Sequence, residues 1–210
     1  MNNLKNKFIH FIENTPSFGK SFICVDDKNN REVLKKVANK NYSTYGIHKN
    51  SNFKIINISQ KINYSKFDVK ITLPGNLVKF IRNIQIPIIG LHNIRNATAA
   101  LAVASSIGIS NRIIKKGLKE FEGVQRRFTK LFSFQSVPFF DDYAHHPTEI
   151  KEVLNGVKKV YKNKEIVCVF QPHRITRVKN LRKEFSLAFK KANTVVLCPI
   201  YKADENISLG

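Results

Sequence analysis

The sequence is short of cysteine, short of acid and without a long apolar run, and each shortage excludes a class of protein. Its three cysteines, Cys24, Cys168 and Cys198, are far apart and odd in number. They argue against a disulfide framework or a zinc ribbon and favour a reducing compartment. No apolar stretch approaches the ~20 residues needed to span a bilayer. Ile86 to Leu91, among the longest, is interrupted by Pro87 and Gly90. Phe8 to Ile12 is too short, and too broken by His10, to be a signal-peptide core. A cytoplasmic protein without membrane insertion is expected. No internal repeat or low-complexity tract stands out.

Acid is scarce relative to base: 15 Asp and Glu against 36 Lys and Arg, a formal charge of +21. Such a balance marks either a nucleic-acid binder or a protein whose small ligands are polyanions. Here the basic residues run along the whole chain, often as Lys beside Asn. There is no Arg-rich helix and no basic strand interleaved with aromatics. A solvated lysine surface accounts for this spread, and no nucleic-acid partner is expected. What the chain does have is 42% hydrophobic residues over 210 positions, enough for one large core or two modest ones.

The texture changes along the chain. Leu4, Phe8, Ile9 and Ile12 stand at helical spacing, Pro16 and Gly19 break the chain, and Ser21 to Val25 reads as a strand. Asp26 and Asp27 suit the cap of a helix through Val33, Leu34 and Val37. From Asn41 to Ile89 the pattern becomes short strands of antiparallel character, with Phe67, Val69 and Ile71 alternating, then Ile84, Ile86 and Ile88, around a Pro74-Gly75 turn. From Gly90 it is helical again, with Ile94, Ala97, Leu101 and Ala104 in register, Gly108 as a C′ residue and Ser110 as the next cap. A boundary is expected at Gly123-Val124, separating residues 1–124 from 125–210. Beyond it, strand Val137 to Phe140, a helix opened by Pro147, buried strand Ile166 to Phe170, a helix through Leu181 to Ala192 and strand Thr194 to Leu197 alternate. That order predicts parallel pairing, with polar clusters at the strand carboxyl ends where α/β sheets bind ligands.

Three clusters have chemistry open to them. Asp141-Asp142-Tyr143-Ala144-His145-His146-Pro147-Thr148-Glu149 offers carboxylates for sugar hydroxyls or a cation and imidazoles for proton transfer, or else a strand end and helix cap. In Gln171-Pro172-His173-Arg174-Ile175-Thr176-Arg177, Arg174 and Arg177 are three apart at a helix start. Two such guanidinium groups can grip a carboxylate or phosphate, or can simply be solvated. In Gly90-Leu91-His92-Asn93-Ile94-Arg95-Asn96, the two asparagines can offer amides to a purine edge, or Asn93 can cap the helix. A metal site from Asp142, His145, His146 and His173 competes, but adjacent histidines seldom face one ion and no His-Glu-x-x-His spacing occurs.

Taken in chain order, residues 90–96, then Phe121-x-Gly123-Val124-x-Arg126-Arg127-Phe128, then 141–149 and 171–177, these segments resemble the Mur ligase family over nearly the whole chain. The Gln-Pro-His-Arg segment narrows the resemblance to the branch that joins L-alanine to the lactyl carboxylate of UDP-N-acetylmuramate. A recycling-type branch that reattaches tripeptide shares the Asp-Asp-aromatic-Ala-His-His-Pro signature and is the alternative. The resemblance implies an α/β fold: a partial central ATPase domain, with a mixed sheet, helices and short antiparallel strands, then a partial Rossmann-like C-terminal domain. It implies peptidoglycan precursor synthesis by ATP-dependent amide formation through an acyl phosphate. By the same resemblance His92, Asn93 and Asn96 lie against adenine, Arg127 reaches the nucleotide and Asp142 accepts from the ribose. Arg174 and Arg177 hold the alanine carboxylate, Tyr143, His145 and His173 shape that pocket, and His145 is the candidate catalytic base.

No Gly-x-x-x-x-Gly-Lys-Ser/Thr loop occurs in these 210 residues. The resemblance therefore leads us to expect an internal fragment, inactive alone, with magnesium ligands elsewhere and Met1 an artefactual start. The alternatives from other classes are a basic nucleic-acid-binding module and a metal-dependent hydrolase.

Overall fold

The computed structural model describes residues 2–38, 41–203 and 205, so Met1 and Gly210, the ends on which the fragment reading turns, lie outside the described residues. Two compact units run over Met1–Ser59, Tyr64–Pro87 and His92–Phe121, and over Gln60–Asn63, Ile88–Leu91 and Glu122–Gly210.

In the first unit, helix α1 (Asn2–Glu13) turns Ile9 and Ile12 toward Val33 and Val37. Strand β1 (Ser21–Cys24) follows, and Asp27 caps α2 (Lys28–Leu34) by accepting from Asn29 N at 2.6 Å. The helix stops at Leu34, so Val37, expected within it, is buried beyond it instead. The crossover through α2 makes β2 (Tyr42–Gly46) parallel to β1.

Here the structure corrects the antiparallel expectation for the stretch after Asn41. Strand β3 (Phe53–Lys61) is also parallel to β2, but only Tyr45 and Gly46 pair, with Phe53 and Lys54. A full parallel return needs a crossover of about a dozen residues or more. The short 47–52 link cannot supply it, so β3 starts beside the end of β2 and runs on. Strands β4 (Tyr64–Thr72) and β5 (Val78–Ile86) complete the sheet, in order β1-β2-β3-β4-β5, and this last pair is antiparallel as expected. A 3-10 turn at Pro74–Asn76 joins them, with Gly75 at φ 73°. Phe67, Val69, Ile84 and Ile86 are all buried, whereas Ile88 lies past the strand end.

Helix α3 (Leu91–Ser106) buries Ile94, Ala97 and Leu101 and ends at Gly108, whose φ of 84° meets the C′ requirement. Ser110 precedes α4 (Asn111–Glu120), yet its hydroxyl makes no capping bond, contrary to expectation.

The second unit departs further from the alternation read in the sequence. Strand β7 (Val137–Asp141) pairs antiparallel with β6 (Thr129–Phe134), a hairpin that the pattern did not reveal. Gln135 and Ser136 close it with φ 45° and 63°, left-handed values that match the twist of the strands. Helix α5 (Pro147–Val160) follows, then β8 (Val167–Phe170), α6 (Ile175–Asn180), α7 (Arg182–Ala188) and β9 (Thr194–Leu197). The parallel pairing of β8 with β9 matches expectation. The expected burial of β8 does not: Val167 and Val169 are 62% and 66% exposed, because only one face packs on helices. The helix expected from Leu181 to Ala192 is α7, which stops at Ala188, and the separate short helix α6 precedes it, parted from it at Leu181 (φ −120°). Ile150, Leu154, Phe170, Phe185 and Ala188 form the core beneath.

Candidate functional site

In the first unit the polar side chains gather at the carboxyl ends of β1 and β2. Asp26 Oδ1 accepts from the N–H groups of Ile47 (2.8 Å) and His48 (2.9 Å), and Oδ2 accepts from Arg95 Nε at 2.6 Å. Asp26 is therefore not the helix cap expected of it: that task falls to Asp27 alone. Thr44 and Asn52 tie down the other side of the 47–52 link, with Asn52 N on Thr44 Oγ1 at 3.0 Å and Thr44 N on Asn52 Oδ1 at 2.9 Å. Arg95 belongs to the first turn of α3, beside His92, Asn93 and Asn96. That helix opens at Leu91, so Asn93 is its third residue and cannot be the cap. Asn93 is 7% exposed whereas Asn96 is exposed, so the two amides do not share one environment.

In the second unit the 123–128 link and the end of β7 interlock. Asp142 accepts from Phe128 N and Ala144 N, both at 2.8 Å. Arg126 pairs with Asp141 (3.1 Å) and lies over the Tyr143 ring, 5.0 Å from its centroid. Arg127 is exposed, and its charge reaches Glu149. Glu149 completes a capping box at α5: its carboxylate accepts from His145 N (3.0 Å) and His146 N (3.1 Å), while His146 Nδ1 accepts from Thr148 N. Burial alone would raise this carboxyl. The two N–H groups, with positive charge on His145 and Arg127, hold it below the ordinary value instead.

The box separates the two histidines by role. His146 is the cap, whereas His145 Nδ1 lies 2.9 Å from Tyr143 O. A carbonyl only accepts, so Nδ1 carries the proton and Nε2 keeps a free lone pair in the neutral ring.

A chain of rings links this turn to the second cluster: Tyr143 to His145 (centroids 5.0 Å), His145 to His173 (6.2 Å) and His173 to Tyr201 (5.2 Å). His173 Nδ1 is buried and has no hydrogen-bond partner. Burial first, then the charges of Arg177, Arg174 and His145, push its pKa down. Arg174 and Arg177 do not both ride on a helix. Arg174 precedes α6 at φ 69°, its N–H on Tyr201 O (2.9 Å), and is exposed, while Arg177 is half-buried. Tyr143, His145, His173, Arg174 and Arg177 are thus brought together. Glu205 joins them on Thr176, a contact across 29 positions that no residue pattern marks.

Among the described residues no three His, Cys, Asp or Glu side chains stand close enough to hold a metal ion, and no helix is long and apolar enough to cross a membrane. The three cysteines are free and half-buried. Among the described residues, two surface cavities, of about 100 and 440 Å³, are lined by none of the candidate ligand-binding side chains.

These two units, each with polar side chains at the carboxyl ends of parallel strands, define an α/β protein of the ligand-binding kind. The Mur ligase middle domain matches residues 1–104, and the Mur ligase glutamate ligase domain matches residues 126–208. The chain belongs to the Mur ligase family. It is 62% identical over all 210 residues to the UDP-N-acetylmuramate–L-alanine ligase of Pelagibacter ubique, covering 45% of that protein. It is 37% identical to the ligase of the same name from Bartonella tribocorum, with 99% of this chain and 44% of that one aligned. The chain thus spans under half the length of these relatives. Among solved structures, UDP-N-acetylmuramate-alanine ligase MurC of Thermotoga maritima superposes with a TM-score of 0.62 at 28% identity, over 82% of this chain and 41% of that one. MurF of Acinetobacter baumannii, at 19% identity and a TM-score of 0.71 over 95% of this chain and 46% of that one, shares the fold.

Proposed function

We propose that this chain forms part of an ATP-dependent ligase that joins L-alanine to the lactyl carboxylate of UDP-N-acetylmuramate in peptidoglycan precursor synthesis. The observation that carries this reading is the 62% identity of the entire chain to a ligase of that name. Two guanidinium groups beside a proton-accepting imidazole suit an amino acid, whose carboxylate needs paired donors and whose ammonium must lose a proton before it attacks.

Arg174 and Arg177 hold the carboxylate, with Tyr143, His145 and His173 around it. His145 Nε2 takes the ammonium proton. The orphaned His173 Nδ1 supplies a further polar contact once a ligand is present. The amide chemistry of Asn93 and Asn96, next to His92, suits an adenine edge. Arg127 serves the phosphates, and the Asp142 carboxylate, with lone pairs beyond the two backbone bonds it accepts, serves the ribose. ATP, as substrate, activates the lactyl carboxylate by phosphorylation, and the amine then displaces phosphate from the acyl carbon. Magnesium finds no ready cluster among the described residues, so no step here is routed through it.

The test is a hybrid in which these 210 residues replace the aligned stretch of the Pelagibacter ligase. It should form the alanyl product from ATP, UDP-N-acetylmuramate and L-alanine. Arg174→Ala with Arg177→Ala should raise the KM for L-alanine at least tenfold. A folded hybrid that forms no product would refute the reading. His145→Ala with turnover and alanine affinity both unchanged would remove the base assignment alone.

A further inference from the structure

Arg174 is a non-glycine residue at φ 69°, a backbone conformation that residues bearing a Cβ rarely adopt. Such a conformation persists only where its surroundings over-determine it. Three contacts do so here. Arg174 N donates to Tyr201 O (2.9 Å), and Tyr201 N donates to Pro172 O (2.8 Å), so the chain after β9 grips the chain after β8 from both sides. Glu205 then closes over the start of α6, accepting from Thr176 N at 3.1 Å and from the Thr176 hydroxyl. Arg174 itself makes no side-chain capping bond. Glu205, 29 positions beyond Thr176, therefore does the capping, and Thr176 is one of the two residues between the arginines in sequence.

We propose that Glu205 is the positioning residue of the arginine pair; this rests on the assignment of Arg174 and Arg177 to the L-alanine carboxylate. Its carboxylate fixes the first turn of α6, which carries Arg177 and begins directly after Arg174.

The experiment is titration of the 210-residue chain with L-alanine, followed by heteronuclear NMR, with L-alaninamide as the ligand lacking a carboxylate. Glu205→Ala should weaken L-alanine about tenfold, the size expected for loss of a helix cap that aligns the binding groups. It should leave L-alaninamide unchanged. Glu205→Gln, which still accepts from Thr176 N–H, should recover affinity to within about threefold of the unaltered chain. On an Arg177→Ala background, Glu205→Ala should cost less than about twofold, because the two changes act on one contact. Unaltered L-alanine affinity in Glu205→Ala, or equal losses for alanine and alaninamide, would overturn the assignment of Glu205. Failure of the unaltered chain to bind L-alanine would overturn the underlying carboxylate-site reading, an outcome visible before any variant is made.

Discussion

Asp26 and Arg95, 69 positions apart, form a 2.6 Å ion pair that joins the carboxyl end of β1 to the first turn of α3. Their side chains are 11% and 26% exposed. The same carboxylate holds the Ile47 and His48 N–H groups, so one side chain fixes both the helix that carries His92, Asn93 and Asn96 and the link between β2 and β3. Gly46 permits this approach: at φ 139°, a Cβ there would lie 2.4 Å from Asp26 Oδ1. Asp26→Ala removes an ion-pair partner from a mostly buried cation and the acceptor from two backbone donors. It should cost about 2–4 kcal/mol, and Gly46→Ala, which must push the carboxylate aside, about 2–3 kcal/mol. Urea denaturation of each variant checks both. A loss below about 1 kcal/mol for Asp26→Ala would mean that the pair is solvated rather than structural.

The β6–β7 turn offers the opposite sign. Gln135 and Ser136 sit at φ 45° and 63°, where each side chain is strained by about 1–2 kcal/mol. Replacing them with Asn and Gly, which favour this two-residue turn, should stabilise the second unit by about 1 kcal/mol after allowing for the added backbone freedom of glycine. A higher thermal midpoint is the expected result.

Acid should weaken the second unit in two stages. His173 has its pKa lowered from the ordinary 6.5 by burial and by Arg177 and Arg174. Between those values the unfolded chain binds a proton that the folded site refuses, so stability falls as pH drops below 6.5. Glu149 and Glu205 are lowered from 4.5, Glu149 by its capping-box N–H groups against the pull of burial, Glu205 chiefly by the Thr176 hydroxyl. Their contribution is complete above 4.5 and is lost as pH falls through the lowered values. Denaturation midpoints at pH 7.5, 5.5 and 3.5 follow both stages. His173→Asn should flatten the first and Glu149→Gln the second.

Much of this molecule was legible in its residue order. Asp27 ahead of Asn29, Pro147 behind His146, Gly108 after Ser106 and the spacing of Ile94, Ala97 and Leu101 are local signals, decided within one turn of chain. So were the clusters at residues 90–96, 141–149 and 171–177, because their chemistry depends on residue type. What the order left undecided was pairing across distance. The parallel seating of β2, the partner of β7 and the one-sided exposure of β8 depend on which strand lies alongside, and a period of two is the same in every arrangement. The engagement of Asp26 with Arg95 and of Glu205 with Thr176 likewise exists only after folding. Nothing in a string of residues marks one carboxylate among 15 acids as the one that a guanidinium or a helix start will meet.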